Sequence, residues 1–568
     1  MKKNQFILWT AVSILTLSLT ISSCDRRTLE PEDSSAGWLR DDFMWDKVDK
    51  NGQLAGFYLN FAYSYLPDGF NRIDGDFLDA ATDDATPSRL NTPVENYTNG
   101  RVSVANNPDP YWAKSYEGIR HVNIFLSNID VVPITEEMRS YWKAEARFIR
   151  ALLYFELLKR YGGIPLIGDK VFTLSDDLEL PRNTYEECVN YIASECNAIK
   201  GKLRLQSAIN DSEWGKISRG AALALKSRLF LYAASPLHNG GGIETDPSKK
   251  ILTGYPTPKA GLYDSVMAAT AELRTQNYYR LHTGYSAVFT AKKNNEIILA
   301  KQVANNFSIE TNNAPIGYTG AAVSNGRTSP SQNFVNAFPN DDGTPYTGGS
   351  DNARQYQNRD SRLAASVFLN GSRWLSREVE LFEGGRDKPN RGGATVQTKT
   401  GYYLRKFMSD FSNGTAYSNV SHNFPIFRYA EIILNHAEAL NETGRTEQAV
   451  QEIIELRKRA VIKPGTNNRY GIPAGISQAE MQTLIRNERR IELSFEEHRF
   501  WDVRRWKIAD VVLSDILQGI SITKTGTATY TFQPTNVGKL QFTSKLYHMP
   551  IPYTETIKNR RLIQNEGW

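Results

Sequence analysis

From 136 to 160, Trp142, Ala146, Ile149, Leu153 and Leu157 recur at steps of three and four residues, the period of a helix that buries one face. Gly162, Gly163 and Pro165 then supply a stop. A second run, 220–234, is apolar nearly all round and reads as a largely buried helix before Pro236. In a third region, 427–500, a helix through Tyr429, Ile433, Ala437 and Leu440 meets Gly444, and another follows over 446–459. Ala437, Ala439, Gly444 and Ala449 are small enough for a tight helical hairpin of the tetratricopeptide kind. Similar pairs are expected at 137–161 with 185–205 and at 217–235 with 262–276, as degenerate repeats without an obvious period. Ser477 and Glu480 form a capping box ahead of Met481, Leu484, Ile485, Ile491 and Phe495, so a long helix should start there.

Between the helical blocks the texture changes. Segments 66–112 and 306–425 are dense in Gly, Asn, Asp, Ser and Tyr, and strand-like runs such as 296–301 are short. The expected fold is therefore mainly α, a tetratricopeptide-like hairpin scaffold with long loop-rich insertions and a few short strands. Loops of this length are uncommon unless they carry function.

The amino terminus reads as an export signal. Lys2 and Lys3 precede a short apolar run, diluted by Thr10, Ser13, Thr16 and Ser18, that ends in Ile21-Ser-Ser-Cys24. It falls short of the roughly 20 apolar residues a membrane-spanning helix needs. Residues 1–23 are expected to be a lipoprotein signal peptide, Cys24 the acylated anchor to a membrane and 24–37 a flexible tether; the alternative is an ordinary secretory signal with Cys24 near its cut. Residues 38–568 are expected to form one unit, with an N-terminal part over about 38–300 and a C-terminal part over about 301–568.

The formal charge of +5 falls by the two lysines that leave with the leader, which argues against a nucleic-acid partner. Cys188 and Cys196 lie eight residues apart on an expected helix, roughly 12 Å at 1.5 Å per residue, too far for a disulfide. They should be free, buried thiols.

The stretch Ile485-Arg-Asn-Glu-Arg-Arg-Ile-Glu-Leu-Ser-Phe-Glu-Glu-His-Arg-Phe-Trp-Asp-Val-Arg-Arg-Trp506 closely resembles the C-terminal signature of the SusD/RagB family, outer-membrane nutrient-binding lipoproteins of Bacteroidetes. Segments 144–155, 161–167, 220–237, 331–338 and 401–407 resemble family segments in order, as do Arg428-Tyr-Ala-Glu431, Pro550-Ile-Pro552 and Gln564-Asn-Glu-Gly-Trp568. Arg359-Asp-Ser-Arg362 departs from the family's Arg-Asp-Pro-Arg, and Asp25 is followed by Arg26 and Arg27 where surface-exported members often carry acidic residues. The resemblance implies about four helical hairpins and a surface-exposed outer-membrane location. It also implies a SusC-like TonB-dependent transporter as partner and an oligosaccharide as ligand; from the RagB side of the family, peptides or other polymers are the alternative.

An enzyme reading starts from Glu488, Glu492 and Glu496, spaced four residues apart on one expected helical face. Arg486, Arg489, Arg490, Arg499, Arg504 and Arg505 surround them and would hold carboxylates ionised, the reverse of what a general acid needs. A partly buried ion-pair network joining C-terminal helices is the better account. No nucleophile elbow, phosphate loop or metal-ligand spacing is present, and the seven histidines are scattered. No catalytic residue, cofactor or metal site is therefore expected. Binding by loop aromatics remains: a sugar ring offers C–H groups on its face and hydroxyls at its edge, which suits an aromatic platform beside amide and charged groups. The candidates are Tyr97 with Asn99 and Arg101, then Tyr346 and Trp374. Trp112 and Trp142 sit in helical patterns and are expected in the core.

Overall fold

The computed structural model describes residues 41–318, 324–348, 355–390, 396–411 and 416–568. The leader, Cys24 and the tether over 24–37 lie outside them. Eight helices build the scaffold: α1 (Gln53–Ala62), α2 (Trp112–Asn128), α3 (Glu136–Tyr161), α4 (Tyr185–Lys200), α5 (Arg219–Ala234), α6 (Leu262–Arg274), α7 (Tyr429–Glu442) and α8 (Thr446–Arg459). Each packs on the next along the chain, so the three expected pairs are present and α1 with α2 makes a fourth. The Thr135 hydroxyl caps α3 by accepting from the Met138 N–H at 3.2 Å. Gly162, at φ 75°, ends it in a backbone conformation that side chains disfavour.

Helix α9 (Gln478–Glu492) begins at the expected box: the Ser477 N–H donates to Glu480 Oε2 at 2.9 Å, and the Ser477 hydroxyl accepts from the Glu480 N–H at 3.3 Å. Helix α10 (His498–Arg505) follows. Cys188 and Cys196 are buried and form no disulfide with each other, and burial pushes both thiols up to about 12.

The strands pair two by two, all antiparallel. They are β1 (Ala85–Pro87) with β3 (Thr328–Pro330), β2 (Ile297–Ala300) with β8 (Pro425–Arg428), β4 (Val367–Phe368) with β7 (Tyr403–Leu404), β5 (Arg373–Trp374) with β6 (Arg377–Glu378), and the long hairpin β9 (Ile516–Lys524) with β10 (Tyr530–Lys539). Sheets this small are not independently stable, so the loop-rich half depends on its own apolar cluster around Phe77, Phe334, Phe368, Tyr403 and Phe495.

Helix α9 joins the two cores. Met481 and Ile485 belong to the helical core, while Ile491, followed by Phe495, belongs to the core under the loops. Between them these glutamates stand in a buried ionic network as expected, but its cations come from distant segments and not from the arginines near them in sequence. Arg362 donates to Glu488 at 2.6 Å and Glu492 at 2.8 Å, and Arg428 to Glu492 at 2.8 Å and Glu496 at 2.7 Å. Arg457 reaches Glu488 at 3.0 Å, Lys406 reaches Glu496 at 2.6 Å, and Arg459 also bonds Glu492. Burial alone would raise Glu488 and Glu492, but the facing arginines outweigh it and hold both carboxyls below the ordinary range.

Asp79 is the opposite case. It is fully buried, Oδ1 accepts from the Phe495 N–H at 2.9 Å, and Oδ2 has no partner among the described residues. Burial first, then Asp84 and Glu497, push its carboxyl up to about 8. Between the unfolded value of about 3.9 and 8, the folded chain binds the extra proton, so this group makes stability fall as pH rises. Asp79→Asn is expected to remove that slope, gaining on the order of a few kcal/mol over wild type at pH 8 and little at pH 4. Parallel urea titrations at the two pH values check it, and an equal effect at both would contradict it.

Candidate functional site

Hairpin β9–β10 lies across the loop-rich half. The Ile520 N–H donates to the Thr400 carbonyl at 2.8 Å, the Glu383 N–H to the Ile522 carbonyl at 2.8 Å, and the Gln518 N–H to Asn333 Oδ1 at 2.8 Å. Register sets Ile522 opposite Phe532 and Lys524 opposite Tyr530. Period-two alternation puts Ile520, Ile522 and Phe532 on the core side, and the same stripe runs past the core's edge to Tyr530 and Lys524 near the turn.

A row of rings follows that stripe. Tyr356 packs edge-on against Phe532 with centroids 5.7 Å apart, and Phe382 packs against Tyr530 at 5.9 Å. Tyr356, Phe382 and Tyr530 are each half-buried. Tyr346, also half-buried, carries the Arg359 guanidinium 3.6 Å from its ring centroid. The Tyr356 and Tyr402 hydroxyls are 3.0 Å apart, and Tyr402 donates on to Gln332 at 2.6 Å, which fixes the ring from behind.

Polar groups flank the outer pair. Glu383 accepts from the Lys388 amine and the Ser521 hydroxyl, each at 2.7 Å, and from the Asn390 amide. Asn390 exchanges hydrogen bonds with Gln397 at 3.0 and 3.1 Å, and the Lys524 amine lies 5.0 Å from the Phe382 centroid. Burial would raise the Glu383 carboxyl, but the bonds from Lys388, Asn390 and Ser521 hold it below its ordinary value. An ionised carboxylate, two amides and an ammonium beside two rings make a surface that stacks on an apolar face and hydrogen-bonds its edge. They do not make a general acid. Among the described residues, no cluster of three His, Cys, Asp or Glu side chains is set to hold a metal ion.

Two of the expected platforms need correction. Tyr97 is 2% exposed: a capping box at Thr92 and Glu95 turns the short helix Pro93–Tyr97 inward, the ring packs edge-on against Phe500 at 5.1 Å, and its hydroxyl donates to Asn107 at 2.6 Å. Trp374 is also 2% exposed, among Tyr318, Phe368 and Tyr417, with its indole N–H donating to the Ser409 carbonyl at 3.1 Å. Neither presents a ring face to a ligand. Asn99 is half-buried in a turn in which it accepts from the Arg101 N–H at 3.2 Å, and Arg101 is exposed. Both sit by the base of the hairpin, where Asn99 bridges to Gln541; the Tyr530 end is eleven residues further along the strand, roughly 35 Å at 3.3 Å per residue. Of the expected residues, Tyr346 alone joins the ring row. Trp112 is buried as expected, whereas Trp142 is half-buried against Gly52 and Gly56.

Comparison with known proteins now bears on this architecture. Residues 295–568 match the SusD family model, and residues 41–231 match a second model described as starch-binding associating with outer membrane. The chain belongs to the SusD/RagB family. A SusD-like protein from Bacteroides fragilis has the same fold at a TM-score of 0.77 and 27% identity, over 93% of this chain and 98% of that one. A SusD-like carbohydrate binding protein from the same species superposes at a TM-score of 0.71 and 23% identity, over 92% and 100%. SusD-like protein P25 of Formosa agariphila is 25% identical over 84% of this chain and 81% of its own length.

In this SusD/RagB protein the rings of the row that the sequence did not single out are Tyr356, Phe382 and Tyr530. A signal for them existed: Tyr530-Thr-Phe532-Gln alternates as a strand with one aromatic face, and Phe382 stands in the loop block expected to display function. What the pattern did not show is where the core under that strand ends.

Proposed function

We propose that this SusD/RagB protein is a cell-surface outer-membrane lipoprotein that binds oligosaccharides and delivers them to a TonB-dependent transporter. The observation that carries the reading is the row of half-buried rings, Tyr346, Tyr356, Tyr530 and Phe382, flanked by Glu383, Asn390 and Gln397 on the loop face. Each stacked ring that buries roughly 60–80 Å² of apolar surface contributes on the order of 1.5–2 kcal/mol, so two platforms give useful affinity. The carbohydrate binding stated for a structural relative supports the ligand class, and the matched model's association with the outer membrane supports the location.

The test is calorimetry of the purified mature protein against panels of oligosaccharides and peptides, with product analysis. Heat from an oligosaccharide without new reducing ends is expected; binding of peptides alone, or cleavage, would overturn the reading. The anchor is tested separately. Cys24→Ala should move the protein from the membrane to the soluble fraction and abolish fatty-acid labelling, and unchanged membrane retention would refute acylation at Cys24.

A further inference from the structure

A second cavity lies away from the hairpin, between α2, the segment after α3 and a short helix α11 (Tyr553–Lys558), with a volume of about 540 Å³. Its size falls within the range of small-ligand pockets. Trp112, Tyr116 and Phe172 make one part of the wall, and Ile119, Leu180 and Leu562 another.

The polar groups inside are already committed. The Tyr116 hydroxyl donates to the Pro165 carbonyl at 2.9 Å, and the Asn123 amide donates to the Gly168 and Lys170 carbonyls at 2.9 Å while accepting from Arg150 at 2.7 Å. The Asn559 amide donates to the Leu180 carbonyl at 2.7 Å. An occupant rich in hydroxyls would find few free partners there and would pay for its own desolvation. An apolar body would not.

Charge at the mouth selects the other end of the occupant. Lys170 is paired with Asp176 at 2.6 Å and Lys558 faces Glu555 at 3.7 Å. Arg120 has no carboxylate partner among the described residues; one guanidinium N–H donates to the Phe172 carbonyl at 2.6 Å, which leaves further donors of the fork available. Leu178, at the edge of the same opening, is 56% exposed, so the apolar wall continues out to solvent.

We infer that this cavity binds a single-chain amphiphile, a long-chain alkyl carboxylate, with its chain against Trp112, Tyr116 and Leu562 and its carboxylate on Arg120. This is a different site and a different ligand chemistry from the ring row.

The probe is dodecanoate below its micelle concentration, with dodecanol and phosphatidylcholine vesicles as parallel arms, on the full mature chain carrying Cys24→Ala. Dodecanoate brominated on its chain should quench part of the tryptophan emission, and Trp112→Phe should remove that quenching. Arg120→Gln should weaken dodecanoate at least about tenfold while changing dodecanol less than about twofold, since only the charge-assisted bond is lost. Leu178→Glu should weaken both, and both positions are exposed enough for the variants to fold. Absence of dodecanoate binding, binding indifferent to Arg120→Gln and Leu178→Glu, binding to vesicles alone, or displacement of dodecanoate by a neutral oligosaccharide would each overturn the assignment.

Discussion

Arg428→Ala is expected to lower the unfolding free energy by about 3–5 kcal/mol, because it takes one cation from each of three buried carboxylates and leaves the site with excess negative charge. The guanidinium is 1% exposed and reaches Glu296 at 2.7 Å, Glu492 at 2.8 Å and Glu496 at 2.7 Å, so its loss takes a partner from three acids at once, leaving them to Arg362, Arg459 and Lys406. Arg428→Lys keeps the charge without the planar fork and should cost less. A pH signature separates this from a simple cavity. Glu492 is held below its ordinary value, so its contribution is present above the unfolded value of about 4.3 and is lost as pH falls through the folded one. Without Arg428 the folded value rises, and acid unfolding should begin at a higher pH. Urea titrations of both variants across that window measure the effect, and an unchanged midpoint for Arg428→Ala would remove the network from the account of stability.

The second large effect falls on binding. Phe382→Ala and Tyr530→Ala are each expected to weaken the oligosaccharide found by calorimetry by about 1–3 kcal/mol, the range for losing an aromatic anchor. Both rings are half-buried at the edge of the core under the loops, so the melting temperature should move less than for a fully buried ring. Trp374→Ala is the control: that ring is 2% exposed, and its removal should cost about 3–5 kcal/mol of stability and leave the affinity of the remaining folded protein near wild type. Wild-type affinity in both Phe382→Ala and Tyr530→Ala would take the hairpin end out of the site.

Several levels of this protein follow from its sequence alone, for local reasons. The periodicity through Trp142, Ile149 and Leu157, the stop at Gly162 and the box at Ser477 and Glu480 each depend on neighbours within a turn or two, and each stands in the structure where the pattern puts it. The pairing of α3 with α4, α5 with α6 and α7 with α8 is nearly as local, because sequential amphipathic helices bury their faces on one another. That Glu488 and Glu492 are structural was legible from charge balance, but their partners were not: Arg489, Arg490, Arg499 and Arg505, near them in sequence, pair with Asp83, Asp84, Glu438 and Asp502, while their own cations come from Arg362, Arg428, Arg457 and Arg459.

Tertiary structure alone decided which aromatics face solvent. Tyr97 and Tyr346 stand in loops of similar composition, yet one is buried against Phe500 and the other is half-buried under Arg359. Exposure depends on partners far along the chain: the Tyr97 ring meets a residue of α10, and Phe382 meets a strand that begins at Tyr530. The cavity beside α2 has the same origin. Its walls come from residues 112–123, 165–180 and 555–562, segments brought together only when the C-terminal end of the chain packs back on the first helical pair. Composition gives how many rings a loop holds. Packing between distant segments sets which of them keep a face free for a ligand.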